Sequence, residues 1–135
     1  MEYFDLHCDT LYKAVMFKSS LNDEKNHISI VKGSCFDEWH QIFAVWIPDD
    51  IKGDNAKKLF HNCVDVFNKQ KVTDDRIKMS LAVENASMLC GDIDNVILLT
   101  DAKVKYVTLT WNAENELGGG SDVRVWVCRS LEKML

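Results

Sequence analysis

The sequence predicts an α/β fold of about four parallel strands joined by crossover helices. Four short apolar or β-branched runs are spaced along the 135 residues. The runs are continuous rather than cleanly alternating, as expected of strands covered on both faces. Between the second and third lies a segment with a clear helical stripe, and parallel strands need such crossovers.

The first strand spans residues 3–6 and leads into His7-Cys8-Asp9. A short helix is expected over 11–17, followed by an irregular polar excursion to about residue 41. The second strand, 42–47, stops at Pro48-Asp49-Asp50. Asp54 is a good N-cap residue. After it, Ala56, Leu59, Phe60, Cys63, Val64 and Phe67 recur at three- and four-residue steps, giving one apolar stripe. The third strand, 79–83, ends at Glu84-Asn85. Residues 86–90 can form a helical turn stopped by Gly91, and Asp92 or Asp94 can cap a second one through Leu99. The fourth strand, 104–110, ends at Trp111-Asn112. Gly118-Gly119-Gly120 marks a break, after which Val123, Val125 and Val127 alternate with other residues and leave the pattern.

Composition excludes some partners. The net charge is −5 and no basic run occurs, so the chain lacks the means to hold a phosphate backbone. Five cysteines, at 8, 35, 63, 90 and 128, are widely spaced and odd in number. They fit reduced, mostly buried thiols better than a disulfide framework. The first residues, Met1-Glu2-Tyr3-Phe4-Asp5, do not read as a secretory leader. The longest apolar run is too short to cross a bilayer. A cytoplasmic chain with no membrane or nucleic-acid partner is expected.

Three places could carry chemistry. In a strand, His7 and Asp9 would point to one face and could share a metal, with Cys8 turned into the packing layer. Taken alone, the pair reads equally as a surface turn. Glu84 directly follows a buried strand, as either an exposed strand-end charge or a ligand. His7, Asp9 and Glu84 fall at the same end of neighbouring strands, and imidazole with two carboxylates suits zinc. The third place is the loop after the fourth strand, where Asn112, Asn115 and Glu116 could line a pocket mouth. For Asn115 and Glu116 individually, turn geometry is the better reading.

These blocks resemble a known family. Phe4-Asp5-Leu6-His7-Cys8-Asp9-Thr10 is similar to the opening D-x-H-x-D strand of the membrane (renal) dipeptidases, peptidase family M19. Ala82-Val83-Glu84-Asn85 resembles the family's third strand. The stretch from Val104 through Leu109-Thr110-Trp111-Asn112 resembles its fourth. The resemblance covers roughly residues 3–121, an N-terminal fragment. It implies the first half of a (β/α)8 TIM-type barrel of the metal-dependent hydrolase superfamily. It further implies a two-zinc dipeptidase in which a metal-bridging hydroxide attacks the peptide bond. His7 and Asp9 would bind one zinc, and Glu84 would bridge both as the catalytic carboxylate. Trp111 and Asn112 would contact the dipeptide, and the full-length form would be a homodimer.

Two departures from the family pattern stand out. Trp111 occupies a position where many members have histidine, and an indole cannot act as an acid or base. The remaining zinc ligands come, in the family, from strands beyond the fourth. His27, His40 and His61 are not expected to replace them: His61 lies on the polar side of the Asp54 helix and the others in the excursion. Residues 1–121 therefore read as part of the barrel domain and 122–135 as a divergent tail, with the reading frame shifted or cut near Asp122. The fragment is expected to be inactive alone. A non-catalytic βα module or pseudo-enzyme, or another metal-dependent hydrolase on the same barrel, are the competing readings.

Overall fold

The computed structural model describes residues 1–123. Strands form where the apolar runs lie: β1 (Glu2–Cys8), β2 (Glu38–Trp46), β3 (Ile77–Glu84) and β4 (Val104–Thr108). They make one sheet in the order β1-β2-β3-β4, and every neighbouring pair is parallel. Helices α1 (Thr10–Phe17) and α2 (Ile30–Gly33) connect β1 to β2, and α3 (Gly53–Asn68) connects β2 to β3. Two 3₁₀ turns, Ala86–Leu89 and Ile93–Val96, and the short α4 (Ile97–Asp101) connect β3 to β4. This is the expected α/β architecture of parallel strands with crossover helices.

Several boundaries differ from expectation. β2 starts at Glu38, four residues before its apolar run, so His40 belongs to a strand and not to the excursion. The run was masked by polar residues that alternate onto the sheet's other face. There the Glu38 carboxylate meets His40 Nε2 at 2.8 Å and Lys78 Nζ at 2.5 Å. Lys78 first, then His40, hold the Glu38 carboxyl down at about 2. α3 is preceded by Lys52 as N-cap, without a side-chain cap bond. Asp54 is instead in the first turn, where its charge faces the helix dipole.

The helices cover one face of the sheet. Phe43 and Val45 of β2 and Leu81 and Val83 of β3 pack against Leu11 and Ala14 of α1 and Ala56, Leu59, Phe60 and Cys63 of α3. The predicted α3 stripe is the buried one, with Val64 and Phe67 at its margin. Phe67 meets Phe43 edge-on at 6.1 Å. The excursion is pinned from within. Thr10 Oγ1 donates to Ile28 O at 2.8 Å, Ile30 N donates to Leu21 O, and Leu21 and Ser29 are fully buried.

The thiols are free at Cys8, Cys35, Cys63 and Cys90. Cys8 and Cys63 are buried, and burial pushes them up to about 11 and about 12. Cys35 is exposed, contrary to the expected pattern. Among the described residues, no helix is long and apolar enough to cross a membrane. Ser121 N and Asp122 N bond back to the carbonyls of Trp111 and Asn112. The remainder of the expected tail, from Arg124, lies outside the described residues.

Gly33 ends α2 against the Trp39 ring. A Cβ there would fall 1.8 Å from Trp39 Cε3. Gly33→Ala is therefore expected to destabilise the fold by about 2 kcal/mol, read as a lowered urea midpoint. An unchanged midpoint would show that this contact relaxes freely.

Candidate metal centre

Both edge strands carry an irregularity near their C-terminal ends. Asp5 pairs with Gln41, but the next partner pair is Cys8 and Phe43, so β1 holds one extra residue. Leu81 pairs with Val104 and Val83 with Val107, so β4 does as well. Such bulges re-aim the side chains around them. Tyr106 lies in the second bulge and its hydroxyl donates to Leu6 O, in the first, at 2.5 Å. The bond links the two edge strands across the helix-free face of the sheet.

The β1 bulge places His7. Its backbone N donates to Asp5 Oδ1 at 3.1 Å, and Cys8 turns into the core. Asp9 is not a strand residue as the two-residue alternation supposed. It is the residue before α1, with φ −90° and ψ 8°, and its side chain caps nothing. The turn nonetheless brings it back beside His7. His7 Nε2 lies 3.4 Å from Asp9 Oδ1 and 3.4 Å from Glu84 Oε2. One ligand atom from each of the three lies within 4.8 Å of the others. Burial raises the Glu84 carboxyl above its ordinary range; His7 opposes this and Asp9 adds to it. An imidazole and two carboxylates, one under-solvated, form a donor set that fits a divalent cation such as zinc.

Asn85 fixes the far side of the rim. It follows Glu84 with φ 68° and is fully buried. Its Nδ2 donates to Ile47 O at 2.7 Å and to Asp49 Oδ1 at 3.3 Å, while its Oδ1 accepts from Asn115 Nδ2 at 2.9 Å. Its backbone N donates to Thr108 Oγ1 at 3.1 Å. The ends of β2, β3 and β4 are thus tied by one side chain and its backbone. Asn115 turns its own Oδ1 to Leu117 N and Gly118 N, a loop-building role.

The other sequence candidates separate. Trp111 lines a cleft of about 390 Å³ that also borders Asp9 and Glu84. Asn112 does not line it; its Oδ1 accepts from Ser121 Oγ at 3.0 Å. Glu116 is half-buried and also absent from the lining. His61 is exposed on α3, and His40 is engaged with Glu38. His27 lines a smaller cleft of about 230 Å³ with His7 and Asp9, yet it is outside the ligand group among the described residues. Sequence reasoning passed over Asn85, Tyr106, Tyr12, Lys13 and Trp46. Only Asn85 carried a signal, an amide immediately after a strand-end glutamate.

No protein-family model matches the chain, and no curated protein matches it. Among solved structures it is similar to one described as the crystal structure of dipeptidase AC, a metallopeptidase of family M19. The TM-score is 0.72 at 15% identity, over 89% of this chain and 46% of that one. The likeness is one of fold: this chain spans about half the length of that protein, with four parallel strands and three helical crossovers arranged as in part of a TIM-type barrel. The likeness shows the α/β fold; the structural neighbour itself is described as a metallopeptidase.

Two outcomes follow. Asn85→Ala loses the amide's bonds and keeps a strained backbone, so it is expected to cost about 2–4 kcal/mol. Asn85→Gly is expected to cost about 1 kcal/mol less, because glycine tolerates positive φ. Urea unfolding of both variants checks this, and equal losses would count against backbone strain. Glu84 has a folded pKa above its unfolded one. Its ionisation therefore disfavours the metal-free fold above the folded pKa, and that penalty is gone below the unfolded value. In the absence of metal, Glu84→Gln is expected to match or exceed the parent's melting temperature at neutral pH, the gain vanishing in acid. A less stable variant at neutral pH would refute this.

Proposed function

We propose that His7, Asp9 and Glu84 hold zinc and that the chain is part of a dipeptidase of the M19 type. The convergence of three ligand atoms at the C-terminal rim of parallel strands carries this reading. The C-terminal rim is where barrels of this kind place their chemistry. The fold shared with a family M19 metallopeptidase supports it.

In this reading, His7 and Asp9 would hold one ion, and Glu84 would be the carboxylate shared with a second. Zinc, when bound, acidifies a coordinated water and polarises a carbonyl. The chain's own residues do the rest. The bulge orients the His7 ring, Asn85 holds the backbone behind Glu84, and partial burial keeps Glu84 short of water and ready for a cation. Trp111 closes one side of the substrate cleft without moving protons. The substrate class is a small peptide with free ends, and homodimerisation belongs to the full-length form. Free thiols at Cys8, Cys35, Cys63 and Cys90, among the described residues, accord with a cytoplasmic setting.

A second reading applies to the 135-residue polypeptide by itself. Among the described residues, β1 and β4 each leave one edge unpaired, and three ligands on an unclosed sheet are poorly pre-organised. A βα module that keeps the site without turnover fits this observation.

Elemental analysis and calorimetry after zinc loading are expected to show weak, saturable zinc binding. His7→Ala or Glu84→Gln should weaken it at least about tenfold, as for loss of one charge-assisted contact. Hydrolysis of an unblocked dipeptide by the purified polypeptide is expected to be negligible. Zinc uptake indifferent to both substitutions would remove the metal reading. Brisk zinc-dependent turnover would remove the inactive one.

A further inference from the structure

We infer that the cleft beside the acidic rim binds a carboxylate bearing a large apolar group, with aromatic rings taking that group and Lys13 taking the carboxylate. This rests on the metal reading for its catalytic meaning and names the substrate side chain that site would prefer.

The cleft has a rigid aromatic wall. Tyr12 meets Trp46 edge-on at 4.7 Å and 69°, and Trp46 meets Trp111 edge-on at 4.9 Å and 76°. Edge-to-face contacts of this kind fix ring orientation. Phe17 stands at the same cleft with 78% of its surface exposed, an apolar ring that a ligand would cover. The volume of about 390 Å³ falls within the range of small-molecule sites.

Charge decides the polarity of the ligand. Lys13 is the cation of the lining, exposed and in no ion pair with any described residue. Asp9 and Glu84 share the same lining, Asp9 one helical turn before Lys13, whose backbone N donates to Asp9 O at 3.2 Å. Without metal, the two carboxylates outweigh Lys13. With a divalent cation on them, the lining becomes net positive and attracts an anion. Binding of an apolar carboxylate should therefore strengthen on zinc loading. Lys13 also borders the smaller cleft that carries His27, so its flexible stem serves the junction between the two.

The test uses the full 135-residue chain with 3-phenylpropanoate as probe, and propanoate and 3-phenylpropan-1-amine as comparators. Saturation-transfer NMR and quenching of indole fluorescence report binding, and zinc uptake is measured in parallel. In zinc, the aryl carboxylate should bind roughly tenfold tighter than either comparator. Lys13→Met should weaken the aryl carboxylate roughly tenfold and leave the amine unchanged. Phe17→Ala should weaken both aryl probes and leave propanoate unchanged; both substituted residues are exposed, so folding is spared. Binding of the amine as tight as the carboxylate, or indifference to Lys13→Met, would overturn the inference. If zinc is bound and the aryl carboxylate is not, this inference fails and the metal reading stands. If zinc is not bound but Lys13-dependent binding persists, the cleft stands and the metal reading fails.

Discussion

The carboxamide of Asn85 is the joint on which the rim depends. Three strands end at the same level, and a parallel sheet provides no hairpin to hold such ends together. A single buried amide makes the connection, bonding to the carbonyl after β2 and to the amide of the loop after β4. Its positive φ turns the chain sharply away from β3, leaving Glu84 as the last residue of the strand. An amide suits this place because it both donates and accepts, and because asparagine tolerates left-handed backbone better than most residues.

Around that joint the molecule divides by face. The helix side is apolar and closely packed, and it accounts for the fold. The other side is graded along the strands. Glu38, His40 and Lys78 neutralise one another near the strand starts. Small residues, Ala44 and Ala82, occupy the middle and lie directly opposite each other in register. Trp46 and Glu84 then face each other in register at the far end, joined there by His7 and Asp9. A lysine and an imidazole thus share one carboxylate at one end of this face, whereas at the other two carboxylates gather around the single imidazole of His7.

Much of this was legible in the sequence. The α3 stripe was clear because helical periodicity and burial coincide there. The strands were clear wherever both neighbours of a residue are apolar. The first four residues of β2 were not, because Glu38 and His40 sit on the inner face with a lysine partner supplied by β3. That His7, Asp9 and Glu84 come together could be anticipated from their strand-end positions. The placing of His7 was hidden, since a bulge depends on pairing with another strand, and so was the turn before α1 that brings Asp9 back beside it. The aromatic cleft was equally hidden: Tyr12, Trp46 and Trp111 are far apart in sequence and meet only after three elements have packed.

The bond from Tyr106 to Leu6 gives the sheet an internal gauge of curvature. Four strands laid flat would set their outermost members too far apart for one phenol to span. That hydroxyl therefore reaches across only while the sheet remains coiled, and with it the bowl in which His7 and Glu84 stand together. Anything that flattened the bowl would release the phenol to water before it dismantled a single strand.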